Sequence, residues 1–380
     1  MRPRFSIILP TYNRRDTIVR AVGSVQKQSF GDWELLIIDD GSEDRTSDVL
    51  PTDDSRIKVL SQPNRGVTSA RNFGLRERRG ELVTFLDSDD RWLPHFLELA
   101  NAFFKAFPRE QVFAAESRAD WGQGFFIRHS FAEVSDWFPE TAGRIGSRRF
   151  GGAPPMADPY LRVYSSREVV GAWGAAIVES AGHPPAFHYR GRIFEDWRWG
   201  WLMGLVGTVL TTAAVDRAGP FDESYRITSD YPWLAKVCRQ NVTNMISVPA
   251  FIKYEFGVGG GKLAEDHLVW GKNAVTFHRE LLRGFDELYG GETQTAELRG
   301  LRAHWQFLLA KVALASGDRS LALSNLRGGP NSFGGMERIA LRFLLLVVPN
   351  GGLARQIYRV SSFVMSSPGK LFNRIKRYTR

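Results

Sequence analysis

The sequence has little of what would staple a chain together or fix it in a membrane. One cysteine, Cys238, in 380 residues excludes an internal disulfide framework and a cysteine metal site, and suits a reducing compartment. Long hydrophobic runs are missing. The start, MRPRFSIILPTYNRR, is apolar only from Phe5 to Leu9 and does not fit a signal peptide. Near the end, IALRFLLLVVP is broken by Arg342 and stopped by Pro349, which is too short to span a bilayer as one helix. No internal repeat is visible.

What is present is a globular composition with a basic balance. The chain is 43% hydrophobic and 24% charged, enough for one large core or two smaller ones. The net charge of +9 suits nucleic acid, anionic lipid or phosphorylated small molecules alike.

The first hundred residues alternate between two periods. FSIIL, WELLIID, RIKVL and LVTFL read as strands. Between them, RDTIVRAVGSVQKQ, GSEDRTSDVL and GVTSARNFGLRERRG read as helices, and LPHFLELANAFFKAF follows with Phe96, Leu99 or Ala100, and Phe103 facing inward. Such alternation predicts right-handed crossovers and a parallel α/β sheet covered on both faces. Ligands of such sheets sit beyond the carboxyl ends of the strands. Here those ends read PTYN, DDGS and DSDD. From about 110 to 260 the pattern breaks up into aromatics, Gly and Pro, and from Ala264 to Leu326 it reads as helical.

LVTFLDSDDRW places Asp87, Asp89 and Asp90 directly after a strand. Carboxylates this close repel one another and call for a cation. Oxygen ligands on a turn suit Mg2+ or Mn2+, which complete their shells with water and phosphate oxygens. The same residues also fit helix capping before Pro94. An EF-hand is excluded because its required Gly is Trp92, and GVGGGK (257–262) has the wrong spacing for a P-loop. Asp39 and Asp40 fit a nucleotide contact or an Asx-turn. Tyr12 fits base stacking or a core edge, and Arg71 a phosphate contact or a solvated helix face. The tryptophans Trp197, Trp199 and Trp201 suit an acceptor face or a core. Glu195-Asp196 is a second acidic pair, and His183 and His188 lack metal-ligand spacing.

Together, ILPTYNRRDTIVRAVGSVQKQSFGDWELLIIDDGSEDRT, NRGVTSARNFGLRERRGELVTFLDSDD and AGPFDESYRITSDYPWLAKV resemble the motifs of family 2 glycosyltransferases, inverting enzymes of GT-A fold. The resemblance is strong over about residues 3–105, fair over about 205–255, weak between these and absent after about 265. It implies an α/β, Rossmann-like, mainly parallel sheet flanked by helices, with a nucleotide-sugar-binding half over 1–105 and an acceptor-binding half over 106–262. Beyond it, the residues themselves read as a C-terminal helical extension over 263–330 and a basic amphipathic tail over 331–380. Carried over by position, Pro10, Thr11 and Tyr12 would line the nucleobase pocket, with Asp39 and Asp40 beside it. Arg71 would lie near the diphosphate. Asp87 and Ser88 would meet the donor, Asp87 and Asp89 would hold Mg2+ or Mn2+, and Asp230 would be the catalytic base. The family often has Glu-Asp where this chain has Ser229-Asp230, and a downstream His that is missing here.

The implied reaction moves a sugar from a nucleoside-diphosphate sugar, with UDP favoured, to a glycan or lipid-linked acceptor in cell-surface polysaccharide synthesis. The competing readings are a catalytically weakened nucleotide-sugar-binding protein and a nucleotidyltransferase. The latter would want a Gly-rich loop after the first strand, and PTYNRR is not one. The last residues mix apolar and basic side chains, with Glu337 the one acid, which suits an amphipathic helix on an anionic membrane. The expected place is cytoplasmic, at the inner face of the cell membrane, with no nucleic-acid partner.

Overall fold

The computed structural model describes residues 2–51, 53–120, 125–126, 159–183, 185–199, 202–254 and 273–326. The chain divides into two compact units. One comprises Met1–Trp137 and Pro154–Gly260, the other Phe138–Ala153 and Gly261–Arg380.

In the first unit the continuous apolar runs form strands. These are β1 (Phe5–Thr11), β2 (Trp33–Asp39) and β4 (Leu82–Phe85), each buried along its whole length. The more polar β3 (Ile57–Ser61) lies at the edge. Helix α1 (Arg15–Gln26) follows β1, α2 (Val67–Glu77) precedes β4, and α3 (Phe96–Ala106) buries Phe96, Leu99, Ala100 and Phe103 fully. These strands are parallel in the order β3-β2-β1-β4. Covered faces explain why the runs are continuous rather than alternating. The α/β class expected from the sequence is therefore the one observed.

GSEDRTSDVL departs from expectation. It forms a single 3-10 turn, Thr46–Val49, because Arg45 before it is left-handed at φ 62° and Pro51 lies just behind. A helix nucleus boxed in this way cannot propagate.

Two contacts set the packing of this half. Gly74 on α2 lies so close to β1 that a Cβ would come within 2.5 Å of Ile8 Cγ2. At the other end of the strands, buried Glu34 accepts from Ser6 Oγ at 2.7 Å and from Arg79 N, Nε and Nη2 at 2.7–2.8 Å. Burial alone would raise the Glu34 pKa, but these bonds and the Arg79 charge outweigh it and hold the carboxyl below its ordinary value.

Beyond β4 the sheet becomes mixed. The order continues β4-β10-β6-β11-β9-β8, with β10 (Thr208–Thr211) antiparallel to both β4 and β6 (Val112–Asp120). The long β11 (Thr243–Tyr254) runs parallel to β6 and antiparallel to β9 (Phe187–Gly191), which pairs with β8 (Ser166–Val169). Two short strands sit off this path: β5 (Arg91–Trp92) on β11 and β7 (Phe125–Phe126) on β6. Helix α4 (Asp230–Gln240) precedes β11.

The described part of the second unit is helical: α5 (Ala274–Tyr289), α6 (Ala296–Ser316) and α7 (Arg319–Leu326). Thr295 caps α6 through Leu298 N, and Gly317 ends it at φ 88°. Arg302 grips Asp286 with both arms of its guanidinium, at 2.7 and 2.8 Å. Among the described residues no helix is long and apolar enough to cross a membrane. GVGGGK, Trp201 and the tail over 331–380 lie outside the described residues.

Candidate active site

Strand β1 lies between β2 and β4, so the strand order reverses beside it. The carboxyl ends of the two flanking strands therefore open onto a crevice at a topological switch point. Pro10 and Thr11 close β1 opposite Ile38 and Asp39 of β2. The last pair of β1 with β4 is Ile8 with Phe85, so Pro10 interrupts no β1–β4 pair. Tyr12 follows and is 40% exposed. The Thr11 hydroxyl is buried with no hydrogen-bond partner among the described residues.

The loops after β1 and β2 are latched together. Asn13, left-handed at φ 51°, accepts from Glu43 N at 2.8 Å and donates its own N–H to Ser42 Oγ at 2.9 Å. Asp44 accepts from Arg15 N at 3.0 Å. Tyr12 thus projects from a loop that is held on both sides.

The two aspartates that end β2 divide their tasks. Asp39 Oδ1 accepts from Ser42 N at 3.0 Å, the Asx-turn that the sequence allowed, and the residue is 7% exposed. Asp40 faces another loop. It accepts from Gln62 Nε2 at 2.7 Å, Arg65 N at 2.9 Å and Gly66 N at 2.7 Å, at 3% exposure. Its carboxylate is committed to the segment that starts α2, so the structure places Asp40 as a brace rather than at a ligand-facing position. Gly41 makes this crossing possible: its φ is 77°, and a Cβ would meet Asn64 N at 2.9 Å.

After β4, Asp87 to Asp90 form a tight turn closed by Asp90 N to Asp87 O at 3.1 Å. Ser88 and Asp90 are buried, and Asp89 is half-buried. The side chain of Asp87 is 37% exposed. The turn is anchored downstream through β5, where Leu93 N donates to Ala250 O at 2.7 Å and Trp92 Nε1 to Val206 O at 3.0 Å.

Arg71 joins this turn to the α4 region. The residue is 6% exposed. Its Nη2 donates to Asp87 Oδ1 at 3.1 Å, and its Nη1 reaches Ser229 Oγ at 3.5 Å. Ser229 precedes Asp230, the first residue of α4. The same helix face fixes the approach to that turn: Thr68 Oγ1 donates to Tyr225 O at 2.7 Å, and Asn72 exchanges bonds with Phe221 O and N at 2.9 and 2.8 Å. Arg71 is therefore not on a solvated face. Asn13 and Asn72 hold the site together and were not singled out from the sequence. The tolerance of Asn for left-handed backbone was the available signal for the first, and no local signal marks the second.

Two of the three tryptophans, Trp197 and Trp199, resolve toward the core. Trp197 and Trp199 are fully buried, and Trp197 Nε1 donates to Tyr231 O at 3.1 Å while the two rings stack. Trp197 thus backs the first turn of α4 instead of facing an acceptor. Glu195 pairs with Arg198 at 3.8 Å, and Asp196 is buried. His188 Nε2 lies 2.9 Å from Asn244 Oδ1 in a buried setting. Cys238 is buried beside Thr243, and burial pushes its thiol up to about 12, so it is not a nucleophile at neutral pH.

Residues 6–169 match the family described as Glycosyl transferase family 2. The chain is similar to the UDP-Glc:alpha-D-GlcNAc-diphosphoundecaprenol beta-1,3-glucosyltransferase WfgD of Escherichia coli, with 46% identity over 96 residues, 25% of this chain and 38% of that protein. It is similar to the GalNAc(5)-diNAcBac-PP-undecaprenol beta-1,3-glucosyltransferase of Campylobacter jejuni, with 43% identity over 96 residues, 24% of this chain and 31% of the other. The matches span less than half the length of these relatives. Among solved structures, S. aureus TarS 1-349 aligns over 94% of this chain and 92% of its own, at 17% identity and a TM-score of 0.48.

Proposed function

We infer that this protein, which belongs to glycosyl transferase family 2 through residues 6–169, transfers a sugar from a nucleoside-diphosphate sugar to a hydroxyl of a glycan or lipid-linked acceptor, with inversion. The observation that carries this reading is the Arg71 fork between Asp87 and Ser229. It ties the acidic strand end to the helix start that bears Asp230, which supports a donor side and a base acting in one crevice.

Tyr12 offers its ring to a nucleobase, and Asp39 and the Thr11 hydroxyl offer polar contacts beside it. Asp87 and Asp89 would hold Mg2+ or Mn2+. Their donor set fits a hard cation, and Asp87 has one oxygen on Arg71 and an accessible side chain. Among the described residues no group of three His, Cys, Asp or Glu is placed to hold an ion. A partial protein shell of this kind suits an ion that also takes phosphate and water oxygens. Bound there, the ion would supply charge stabilisation to the leaving diphosphate. The Asp230 carboxylate takes the proton of the acceptor hydroxyl as that oxygen attacks the anomeric carbon from the side opposite the diphosphate. A single displacement of this kind inverts the centre.

UDP as the nucleotide and an undecaprenol-diphosphate-linked acceptor are favoured by the names of the relatives above. With them go a place in cell-surface polysaccharide synthesis and a peripheral position at the inner face of the cell membrane, to which the basic 331–380 segment would contribute. The donor half would be 1–105 and the acceptor half 106–262. The test is Asp230→Asn with a nucleotide-sugar donor and Mn2+: transfer falls by about 10²–10⁴-fold while UDP still binds. Transfer at the wild-type rate in a folded variant removes Asp230 from the mechanism.

A further inference from the structure

We propose that Ser229 is a positioning residue that relays occupancy of the Asp87 side of the crevice, through Arg71, to the first turn of α4. This rests on the donor-site reading above, and it adds a path between that site and the helix carrying Asp230.

Three observations lead to it. First, Ser229 occupies the N-cap position of α4, where a serine normally gives its hydroxyl to the helix. Here it makes no capping bond, its backbone is already helical at φ −59° and ψ −25°, and its Oγ faces Arg71. The hydroxyl therefore does something other than start the helix. Second, Arg71 is a buried guanidinium with incomplete partners. Among the described residues its Nε is buried without a hydrogen-bond partner, Nη2 has Asp87, and Nη1 has a long 3.5 Å contact to Ser229. Under-satisfied buried charge is costly and responds strongly to a new anion. Third, the guanidinium is planar and rigid, so its arms move together. A ligand that draws Asp87 Oδ1 away from Nη2, or that bonds to Nη2 itself, must shift Nη1 relative to Ser229. Ser229 is 1% exposed, so packing transmits that shift to Asp230 instead of dissipating it in solvent. A glutamate at this place would hold Arg71 by charge, whereas the neutral hydroxyl leaves the arm able to move.

The test uses the full chain and a panel of UDP, GDP, dTDP, CDP and ADP, each with Mn2+. The tightest binder found by calorimetry is carried into amide hydrogen exchange on peptides covering 228–240. In the wild type it slows exchange there by about fivefold or more, the coupling expected for linked sites. Ser229→Ala is expected to bind the same nucleotide within about twofold and to lose that protection, and Ser229→Thr, which keeps the hydroxyl, to regain it. A merely structural serine would lower protection in the nucleotide-free protein too, so exchange is read with and without nucleotide. Equal ligand-induced protection in Ser229→Ala and wild type overturns the relay. So does failure of Ser229→Thr to restore it, and so does loss of nucleotide binding in Ser229→Ala, which would make Ser229 a binding residue. If no nucleotide of the panel binds the wild type, the donor-site reading falls and the relay with it. If Asp230→Asn is inactive and the exchange is unchanged, only the relay falls.

Discussion

The parallel and mixed halves of the sheet reach stability by different routes. In β3-β2-β1-β4 the register is regular and β1, β2 and β4 are buried along their length, and the loops that frame the crevice bind mainly to one another, Asn13 to Glu43 and Asp40 to the 62–66 segment. In β10-β6-β11-β9-β8 the register of β6 and β11 shifts around Pro249, and aromatic pairs such as Phe103 with Phe113 and Trp197 with Tyr231 join elements distant in sequence. The loops of the parallel half are thus preorganised locally, while the mixed half holds α4, the helix that starts at Asp230, by long-range packing. Lesions in the mixed half should therefore unfold the protein. Lesions in the crevice loops should weaken ligand binding first.

The largest expected effect breaks the mixed half. Trp197→Ala removes a fully buried ring that stacks on Tyr231 and bonds to its carbonyl. It should cost about 3–5 kcal/mol, seen as a lower urea midpoint with an unchanged slope. A change under about 1 kcal/mol would mean that α4 does not depend on this brace.

Next comes the far end of the parallel half, where Glu34 is buried under Arg79 and Ser6. Glu34→Gln weakens charge-assisted bonds and should cost about 1.5–3 kcal/mol at neutral pH. The sign of its pH dependence follows from the depressed pKa. Its contribution is full above the unfolded carboxyl's value near 4.5 and is lost as pH falls through the lower folded value. The stability gap between wild type and variant should therefore close on acidification. A gap that widens as pH falls would contradict the ion pair.

Gly74→Ala comes next and tests the helix that connects the two sides of the site. The new Cβ would clash with a β-branched side chain on a central strand, so α2 must move by some tenths of an ångström. About 1–3 kcal/mol is expected. Because Arg71 and Asn72 ride on α2, nucleotide binding should weaken along with stability. A stability loss with unchanged binding would uncouple the helix from the site.

How much of this was legible in the sequence follows the same division. β1, β2, β4 and α3 could be read because their apolar patterns are continuous or have a clean helical period. The acidic turn could be located because three carboxylates cluster directly after a strand, although the pairing of Asp87 with Arg71 could not. The Asp40 brace could not, because its partners lie more than twenty residues away and an aspartate after a strand looks the same in either role. The buried tryptophans had two equally good explanations until Tyr231 was placed beside Trp197. The insertion of β10 between β4 and β6 has no local signature, since Val209 of β10 pairs with Thr84 and Phe113, both far away in the sequence. Nor does the Arg71 link to Ser229, which joins residues 158 apart.

The smallest stability effect should carry a disproportionate functional one. Asn13→Gly keeps access to the left-handed backbone that φ 51° requires and deletes the side-chain oxygen that receives Glu43 N and Asp44 N. With the backbone conformation preserved and the loop near solvent, the cost to folding should stay near or below about 1 kcal/mol. The latch that holds Tyr12 beside the Asp39 end would nevertheless be open, and ordering it on binding would draw on the binding energy. Nucleotide affinity should then fall by about three- to tenfold with the melting temperature nearly constant. Asn13→Ala adds backbone strain to the same loss, so the difference between the two variants separates the cost of the conformation from the cost of the latch. If Asn13→Gly lowers stability and leaves affinity untouched, the crevice loops are structural like the mixed half, and the contrast between the two halves is wrong.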